Sequence, residues 1–127
     1  MWAADEASRA LGMELVEVGD GTAVVRMLVR DDMVNGHDIT HGGFVFSLAD
    51  TAFAIACNDD VTITVAAGAD ITFLKSTTAG QTLRATAIER VKRGRTGLCD
   101  VTVVDDAGDV VAEFRGRSLT TDRKLAP

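Results

Sequence analysis

Residues 35–51 read NGHDITHGGFVFSLADT and combine two groups that could act on a carbonyl carbon. The polar part of the segment ends in Gly42-Gly43, and an almost wholly apolar stretch with one carboxylate, Asp50, follows it. Backbone amides at the start of a helix are donors for a developing oxyanion. A carboxylate among apolar residues is costly to bury, so it usually has a partner or a chemical role. The pair therefore indicates half of an acyl-transfer site.

The stretch after this loop predicts a helix from about Gly43 to Cys57. It is apolar nearly all round, which is typical of a helix buried on most sides. The 3.6-residue period places polar or small residues on one face: Ser47, Asp50, Thr51, Ala54 and Asn58. The opposite face is apolar and suited to a sheet, with Val45, Leu48, Ala52 and Ile55. Because the polar face is narrow, we expect a second copy of the chain to pack against it.

The rest of the chain predicts one short helix and six strands. The helix covers residues 3–11 and ends at Gly12. Strands are expected at 13–18, 22–30, 61–75, 81–91, 96–105 and 109–121, with turns at the glycines between them. Gly68 lies inside a long strand and predicts a bulge. We expect an α+β fold in which a large antiparallel sheet wraps one long helix, as a single domain over residues 1–127.

The length of the helix restricts how its two reactive groups can cooperate. Asp50 follows Gly42 by eight residues, which corresponds to roughly 12 Å along a helix axis. A carbonyl bound by the Gly42 amide must lie within about 3.5 Å of its attacking atom. An aspartate side chain cannot span that gap. The sequence therefore predicts a dimer with sites at the interface, each using Gly42 of one chain and Asp50 of the other.

Composition limits the classes of function. The 127 residues carry a net charge of −6, which argues against nucleic acid as the main partner. No apolar run approaches the roughly 20 residues of a membrane span, and the first residues lack the pattern of a signal peptide. We therefore expect a cytoplasmic protein without a membrane partner. Cys57 and Cys99 are too few for a disulfide framework and are expected to be reduced core thiols.

The loop before the helix holds further candidates. Asn35 can position a water or a carbonyl group, although Asn35-Gly36 also favours a simple turn. His41 could be a base, a cap of the helix or an orienting group. His37 and His41 have a spacing found in metal sites, but they lie in a loop without an evident third ligand. The sequence predicts neither a metal nor another cofactor.

These residues resemble a known family. NGH, HGG, FSLADTAFA and ACN are similar to segments of the PaaI-type acyl-CoA thioesterases of phenylacetate catabolism, within the hotdog-fold superfamily. AVVRM, ITFL, AGQTLRATA and VAEFRGRS follow in the order of that family. The resemblance covers about residues 10 to 119. It implies a helix wrapped in an antiparallel sheet, dimers that commonly pair into tetramers, and hydrolysis of aryl-acetyl-CoA thioesters.

The resemblance also assigns roles by position. Asp50 matches the catalytic acid, acting as a general base or a nucleophile. Gly42 matches the oxyanion amide, and Asn35 matches the residue that positions the water or the thioester. His41 matches the histidine of the HGG motif. Thr51 directly follows the acid, where its hydroxyl could hold the water.

Basic residues are the expected contacts for the phosphates of coenzyme A. The candidates for binding substrate or coenzyme A are Gly43, Lys75, Lys92, Arg93 and Arg95. Lys75-Ser76 stands where similar proteins tend to have Arg-Pro, so the charge is kept and the rigid turn is lost. Two alternatives remain open. One is a hydratase or dehydratase that pairs His41 with an acid, and the other is a non-catalytic acyl-CoA-binding module.

Overall fold

A computed structural model describes residues 2–59 and 61–124. Two α-helices are present in this part of the chain, α1 (Glu6–Ala10) and α2 (Gly42–Cys57), with short 3₁₀ turns at Trp2–Ala4 and Asp31–Met33. The strands are β1 (Glu14–Gly19), β2 (Thr22–Leu28), β3 (Thr62–Phe73), β4 (Thr82–Arg93), β5 (Thr96–Val104) and β6 (Val110–Lys124). The predicted long helix is confirmed to within one residue at its start.

The six strands form one antiparallel sheet in the order β1-β2-β4-β5-β6-β3. Strands β1 and β3 therefore form its two edges. The predicted α+β class is confirmed, because one long helix lies against this sheet. The predicted bulge at Gly68 is also confirmed, since the pairing of β3 with β6 shifts between Ala66 and Gly68.

The core lies between α2 and the inner face of the sheet. Every second residue of β5 from Cys99 to Val103 is fully buried, while the residues between them are partly exposed. Leu48 and Ala52 are also fully buried, as predicted for the apolar face of α2. A Cβ on Gly116 of β6 would lie 2.6 Å from the Phe53 ring. The absence of that Cβ lets the helix approach the sheet closely.

Two predictions about local structure are wrong in part. The helix predicted over residues 3–11 is interrupted at Asp5, whose carboxylate accepts a hydrogen bond from the Ser8 amide and caps α1. The strand predicted over residues 81–91 ends later, because β4 continues through Arg93. Gly12 does end the helical segment, with a positive φ of 75°.

Among the described residues, no helix is long and apolar enough to cross a membrane.

Candidate active site

Asp50 projects from the middle of α2 into a cavity of about 500 Å³. The residues just before α1, the second half of α2 and strands β3 and β6 provide the walls. Most of the lining is apolar and includes Phe53 and Ile63. Burial raises the pKa of the Asp50 carboxyl above its ordinary value, and the negative charge of Asp5 adds to this effect. The group is therefore a stronger base than an exposed aspartate.

The Asp50 side chain has no hydrogen-bonding or ion-pair partner among the residues that the structure describes. In contrast, the Ser47 hydroxyl, which lies one turn earlier in α2, donates to the Gly43 carbonyl within the helix. Asp50 alone thus keeps its acceptor atoms for a group in the cavity. A structural acid of the same chain would have a donor, so this geometry favours a chemical role.

Thr51 lies apart from the open face on which the sequence placed it. It is buried, with 8% of its surface exposed, because α1 covers it. The Thr51 hydroxyl lies 2.9 Å from the Ser8 hydroxyl. The structure therefore gives Thr51 a contact between helices, and its expected role in holding a water stays a prediction.

Asn58 closes the cavity at the end of α2. Its amide group donates to the Ala54 and Thr64 carbonyls, and its side-chain oxygen accepts from the Thr64 amide. These bonds attach the end of α2 to the start of β3. The sequence placed Asn58 on the Asp50 face but gave it no function, because Thr64 lies beyond a turn that the helical period does not describe.

Gly42 begins α2 and carries a free amide donor. Among the described residues no acceptor lies within hydrogen-bonding distance of this N–H, as expected for the first residue of a helix. The next amide, that of Gly43, donates to Nδ1 of His41 at 3.1 Å. Gly42 is therefore the better oxyanion donor of the two. The contact to substrate that the sequence suggests for Gly43 stays a prediction.

Gly42 and Asp50 do not share a cavity. Gly42 lines a second cavity of about 370 Å³ together with Phe73, Lys75 and Thr77. Asp50 faces the first cavity near the other end of the helix. The eight-residue separation within a continuous α-helix corresponds to roughly 12 Å. Within one chain these two groups cannot act on the same carbonyl carbon.

His41 is the N-cap of α2. Its backbone is extended, with φ −63° and ψ 130°, and its Nδ1 atom accepts the Gly43 amide. A nitrogen that accepts an N–H bond carries no proton, so the proton of the neutral ring lies on Nε2. The exposed ring also packs edge-on against Phe44, with centroids 6.1 Å apart. Of the roles that the sequence left open, the geometry supports capping directly.

We expect His41→Ala to lower the free energy of unfolding by about 1 kcal/mol, because it removes the side-chain cap of α2. His41→Asn should restore most of this loss, since asparagine is among the best capping residues. Urea unfolding of the three proteins measures the difference. If the asparagine variant is stable and keeps full activity, histidine is a cap, whereas selective loss of activity would indicate a role for its Nε2 atom.

The loop before α2 is shaped by Asn35. Its side-chain oxygen accepts the amides of His37 at 2.8 Å and Ile39 at 3.3 Å. A backbone bridge between Val34 and Thr40 closes the loop. The bond from the His37 amide to the Asn35 side chain is that of an Asx turn, so Asn35 does form a turn, as its type favours. The Asn35 amide group remains exposed, so its expected role toward water or a thioester stays a prediction.

Lys75 lies beside the Gly42 cavity, and its charge is already paired. Its ammonium group donates to Asp105 at 2.6 Å and to Asp109 at 2.7 Å. The Asp105 side chain is fully buried, and the bond from Lys75 lowers the pKa of its carboxyl. Lys75 therefore holds the β5–β6 turn in this chain. A contact between Lys75 and coenzyme A would compete with these two bonds.

Lys92, Arg93 and Arg95 lie at the opposite end of the sheet, which is the end of the Asp50 cavity. Arg93 pairs with Thr96 in the β4–β5 ladder. Arg95 forms an ion pair with Asp122. Lys92 and Arg93 form no salt bridge with any residue that the structure describes. These two cations are exposed and available to an anionic ligand, whereas Lys75 is separated from them by the length of the sheet.

Within residues 2–59 and 61–124, no three His, Cys, Asp or Glu side chains are placed to hold a metal ion. Two of the five phenylalanines line one of the two cavities described above. The structure places Phe53 at the Asp50 cavity and Phe73 at the Gly42 cavity. Phe44 and Phe46 line neither cavity and pack against the core.

A single long helix against an antiparallel sheet, with one acid halfway along the helix and a free amide at its start, is the architecture of a hotdog-fold protein. Comparison with known proteins agrees with this class. Residues 37–112 match the family model described as Thioesterase superfamily. That match covers more than half of the chain, so the chain belongs to the thioesterase superfamily.

The relatives to which the chain is similar include PaaI proteins. It is 45% identical over 118 residues to Acyl-coenzyme A thioesterase PaaI of Escherichia coli, covering 93% of this chain and 84% of the relative. The solved structure of the E. coli PaaI protein from the phenylacetic acid degradation operon superposes with a TM-score of 0.95 at 42% identity. That superposition covers 99% of this chain and 91% of the other. A Streptococcus mutans protein bound to acetyl-CoA is 25% identical with a TM-score of 0.84, over 89% and 91% of the two chains.

Proposed function

We propose that this protein hydrolyses aryl-acetyl-CoA thioesters, such as phenylacetyl-CoA or a hydroxylated relative, to the free acid and coenzyme A. The named activity of the E. coli relative and the operon of its solved structure support the substrate class. The observation that carries the proposal is Asp50. It is a carboxylate with a raised pKa and no partner in the described chain, and it faces an apolar cavity large enough for an aryl group.

In the proposed reaction Asp50 acts at the thioester carbon. It either removes a proton from the attacking water or attacks the carbon itself, and a Gly42 amide stabilises the negative charge that develops on the carbonyl oxygen. The carbon–sulfur bond then breaks, and coenzyme A leaves as a thiolate. With water as the attacking group this step gives the free acid directly, whereas attack by Asp50 gives an acyl anhydride that a water molecule then hydrolyses to the free acid and the Asp50 carboxylate. A thiolate is a stable leaving group, so the mechanism requires no strong general acid.

The two halves of this site come from different subunits in the proposal. Strand β3 supports such a pairing, because it is an edge of the sheet and is 12 residues long. Its outer backbone groups need a partner, and a second β3 would supply one. Val65 and Phe73 on this strand are exposed by 44% and 53%. We propose a homodimer formed through β3, which pairs further into a tetramer, with Gly42 of one subunit facing Asp50 of the other.

Coenzyme A is a part of the substrate in this proposal, and no other cofactor takes part. The unpaired cations Lys92 and Arg93 are the proposed contacts for its phosphates, and Asn35 the proposed contact for the water or the thioester. A cytoplasmic location belongs to the same proposal. It is supported by the cysteine content, because two cysteines are too few for the disulfide framework that is typical of small secreted domains.

A panel of acyl-CoA substrates, read with a thiol reagent, tests the proposed function. We expect kcat/KM to be highest for aryl-acetyl groups and lower for short straight chains, because the apolar cavity gains contacts with a ring. Enoyl-CoA turnover without release of thiol would indicate the hydratase alternative. Calorimetric binding of coenzyme A without thiol release from any substrate would indicate a non-catalytic binding module.

A further inference from the structure

Helix α1 brings a second carboxylate to the cavity of Asp50. The Asp5 side chain caps this helix, accepting from the Ser8 amide at 3.0 Å and from the Ser8 hydroxyl at 2.7 Å. Ser8 is buried, with 5% of its surface exposed, and its hydroxyl lies 2.9 Å from that of Thr51. Asp5 and the neighbouring Ala4 line the same cavity as Asp50. The cap of α1 is therefore also a wall of the candidate site.

The chemistry of the three groups determines the direction of their hydrogen bonds. An ionised carboxylate has acceptors only, so the Ser8 hydroxyl must donate its one proton to Asp5. The Ser8 oxygen then accepts from the Thr51 hydroxyl. The resulting chain runs from Thr51 through Ser8 to Asp5 and fastens α1 to α2. It holds the Asp5 charge at a fixed place beside the cavity, where a flexible surface acid would move into solvent.

The lining of the cavity contains no cation to balance this charge. Its described charged groups are Asp5 and Asp50, and its remaining polar residues Asn58, Thr64 and Ser118 are neutral. Hydrogen bonding with Cys99 and burial raise the pKa of the Cys57 thiol, so this thiol is neutral as well. Glu6 and Arg9 of α1 are exposed and do not line the cavity. Lys75 lies beside Gly42 but is paired with Asp105 and Asp109, so a partner subunit that brings Gly42 to this cavity brings no free cation with it. A negatively charged group that enters would therefore be desolvated and repelled.

We propose that Asp5 is a specificity-determining residue that excludes acyl groups bearing a negative charge from the Asp50 cavity. This inference rests on the proposed function, in that the acyl part of a CoA thioester enters this cavity. The cavity suits the acyl part because it is mainly apolar. The phosphates of coenzyme A would instead seek cations, which lie outside it. Neutral aryl or alkyl groups enter without opposition, whereas acyl groups with a terminal carboxylate meet the fixed charge of Asp5.

Asp5→Asn tests the inference with little change of structure. Asparagine is an equally good helix cap, since its oxygen can accept from the Ser8 amide. Its NH2 group takes the place of the second oxygen and can donate to the Ser8 hydroxyl oxygen, so the charge is removed while both contacts to Ser8 are kept. The matched substrates are (4-methylphenyl)acetyl-CoA and (4-carboxyphenyl)acetyl-CoA, which differ by a methyl and a carboxylate. We expect the ratio of kcat/KM for the carboxylate substrate to that for the methyl substrate to rise about tenfold or more in Asp5→Asn. Glu6→Gln, which removes a charge from the exposed side of α1, should change the ratio less than about twofold.

The pH profile supplies a second readout that a purely structural role would not move. The charge of Asp5 opposes ionisation of Asp50, so Asp5→Asn should shift the acid limb of kcat/KM for the methyl substrate to lower pH. Glu6→Gln should leave that limb in place. An unchanged substrate ratio in a folded Asp5→Asn protein would overturn the inference. Asp5→Ser, a second capping residue without charge, replaces it if the asparagine variant does not fold.

A failure of the proposed function gives a different result from a failure of the inference about Asp5. If wild-type protein releases no thiol from either substrate, hydrolysis itself is wrong, and the inference is then decided by binding. The thioether analogues of both substrates cannot be hydrolysed, and calorimetry gives their Kd values. A preference for the neutral analogue that falls about tenfold in Asp5→Asn supports charge exclusion by Asp5. Equal Kd values in wild type, or a preference that Asp5→Asn leaves unchanged, contradict it.

Discussion

Asp50→Asn should lower kcat for aryl-acetyl-CoA by at least about 10²-fold and leave the protein as stable as the wild type or more stable. Asparagine has nearly the same shape but cannot accept the proton of water or form an anhydride with the acyl group, and loss of a general base or nucleophile typically has an effect of this size. Steady-state hydrolysis and thermal unfolding of the same preparations measure the two quantities. Glu17→Gln, which removes an exposed charge from β1, is the control and should change neither.

The expected gain in stability follows from the sign of the pKa shift. Burial raises the pKa of Asp50 in the folded protein, so the folded state binds a proton more readily than the unfolded chain does. As pH rises from the unfolded pKa of about 3.9 through the folded pKa, stability is lost, and at neutral pH the ionised group opposes folding. Asparagine carries no such charge. The melting temperature of Asp50→Asn should therefore equal or exceed that of the wild type at pH 7.

The two measurements together separate catalysis from structure. A structural acid at this position would make Asp50→Asn both less active and less stable. A folded variant that keeps more than about a tenth of the wild-type kcat would show that Asp50 is neither base nor nucleophile. In the wild type, the acid limb of the pH profile of kcat/KM should give a pKa above the ordinary aspartate value of about 3.9. Its position reports the ionisation of Asp50 in the free enzyme.

The sequence predicted those parts of the fold that depend on local patterns. The bounds of α2, the burial of Leu48 and Ala52 and the bulge at Gly68 follow from residue periodicity and from the conformational freedom of glycine. The class of the fold follows from the number and order of these elements. The identification of Gly42, rather than Gly43, as the free donor also agrees with a local rule, because the first amide of a helix has no partner within it.

The features that the sequence did not predict depend on contacts between distant segments. Thr51 shares its helical face with Asp50 in sequence, yet α1 covers one residue and leaves the other open to the cavity. Lys75 was expected to bind coenzyme A, but its partner Asp105 lies 30 residues away in the chain. The Asp5-x-x-Ser8 pattern signals a helix cap, but no periodicity states that this cap lines the candidate site.

Mixing two inactive variants should restore about a quarter of wild-type activity if each site is shared between subunits. One variant is Asp50→Asn, and the other is Gly42→Pro, which lacks the amide proton. Equal mixing gives half heterodimers, and each heterodimer has one site with an intact Gly42 and an intact Asp50. The other site of the pair carries both defects. Restoration should require subunit exchange, so the two proteins combined without exchange remain inactive.

Proline suits this experiment because the amide of residue 42 has no partner in the helix and the residue before it is extended. Proline is favoured at the first position of a helix, where no partner for an N–H exists. His41 precedes it with φ −63° and ψ 130°, the extended conformation that a residue before proline adopts. Loss of an oxyanion donor should lower kcat about 10²-fold. Gly42→Ala is the matched control, because both variants place a Cβ about 3.0 Å from the Phe73 ring but alanine keeps the amide proton.

The activity of the exchanged mixture depends on whether the Gly42 and Asp50 of one site belong to one chain or to two. Within one chain, Gly42 and Asp50 face separate cavities at a separation that no aspartate side chain can span. A site confined to one chain would carry one defect in every subunit of the mixture, and activity would stay at the level of the single variants. A rise toward a quarter of wild type after exchange, with Gly42→Ala active on its own, therefore requires that Gly42 of one subunit and Asp50 of its partner act on the same thioester.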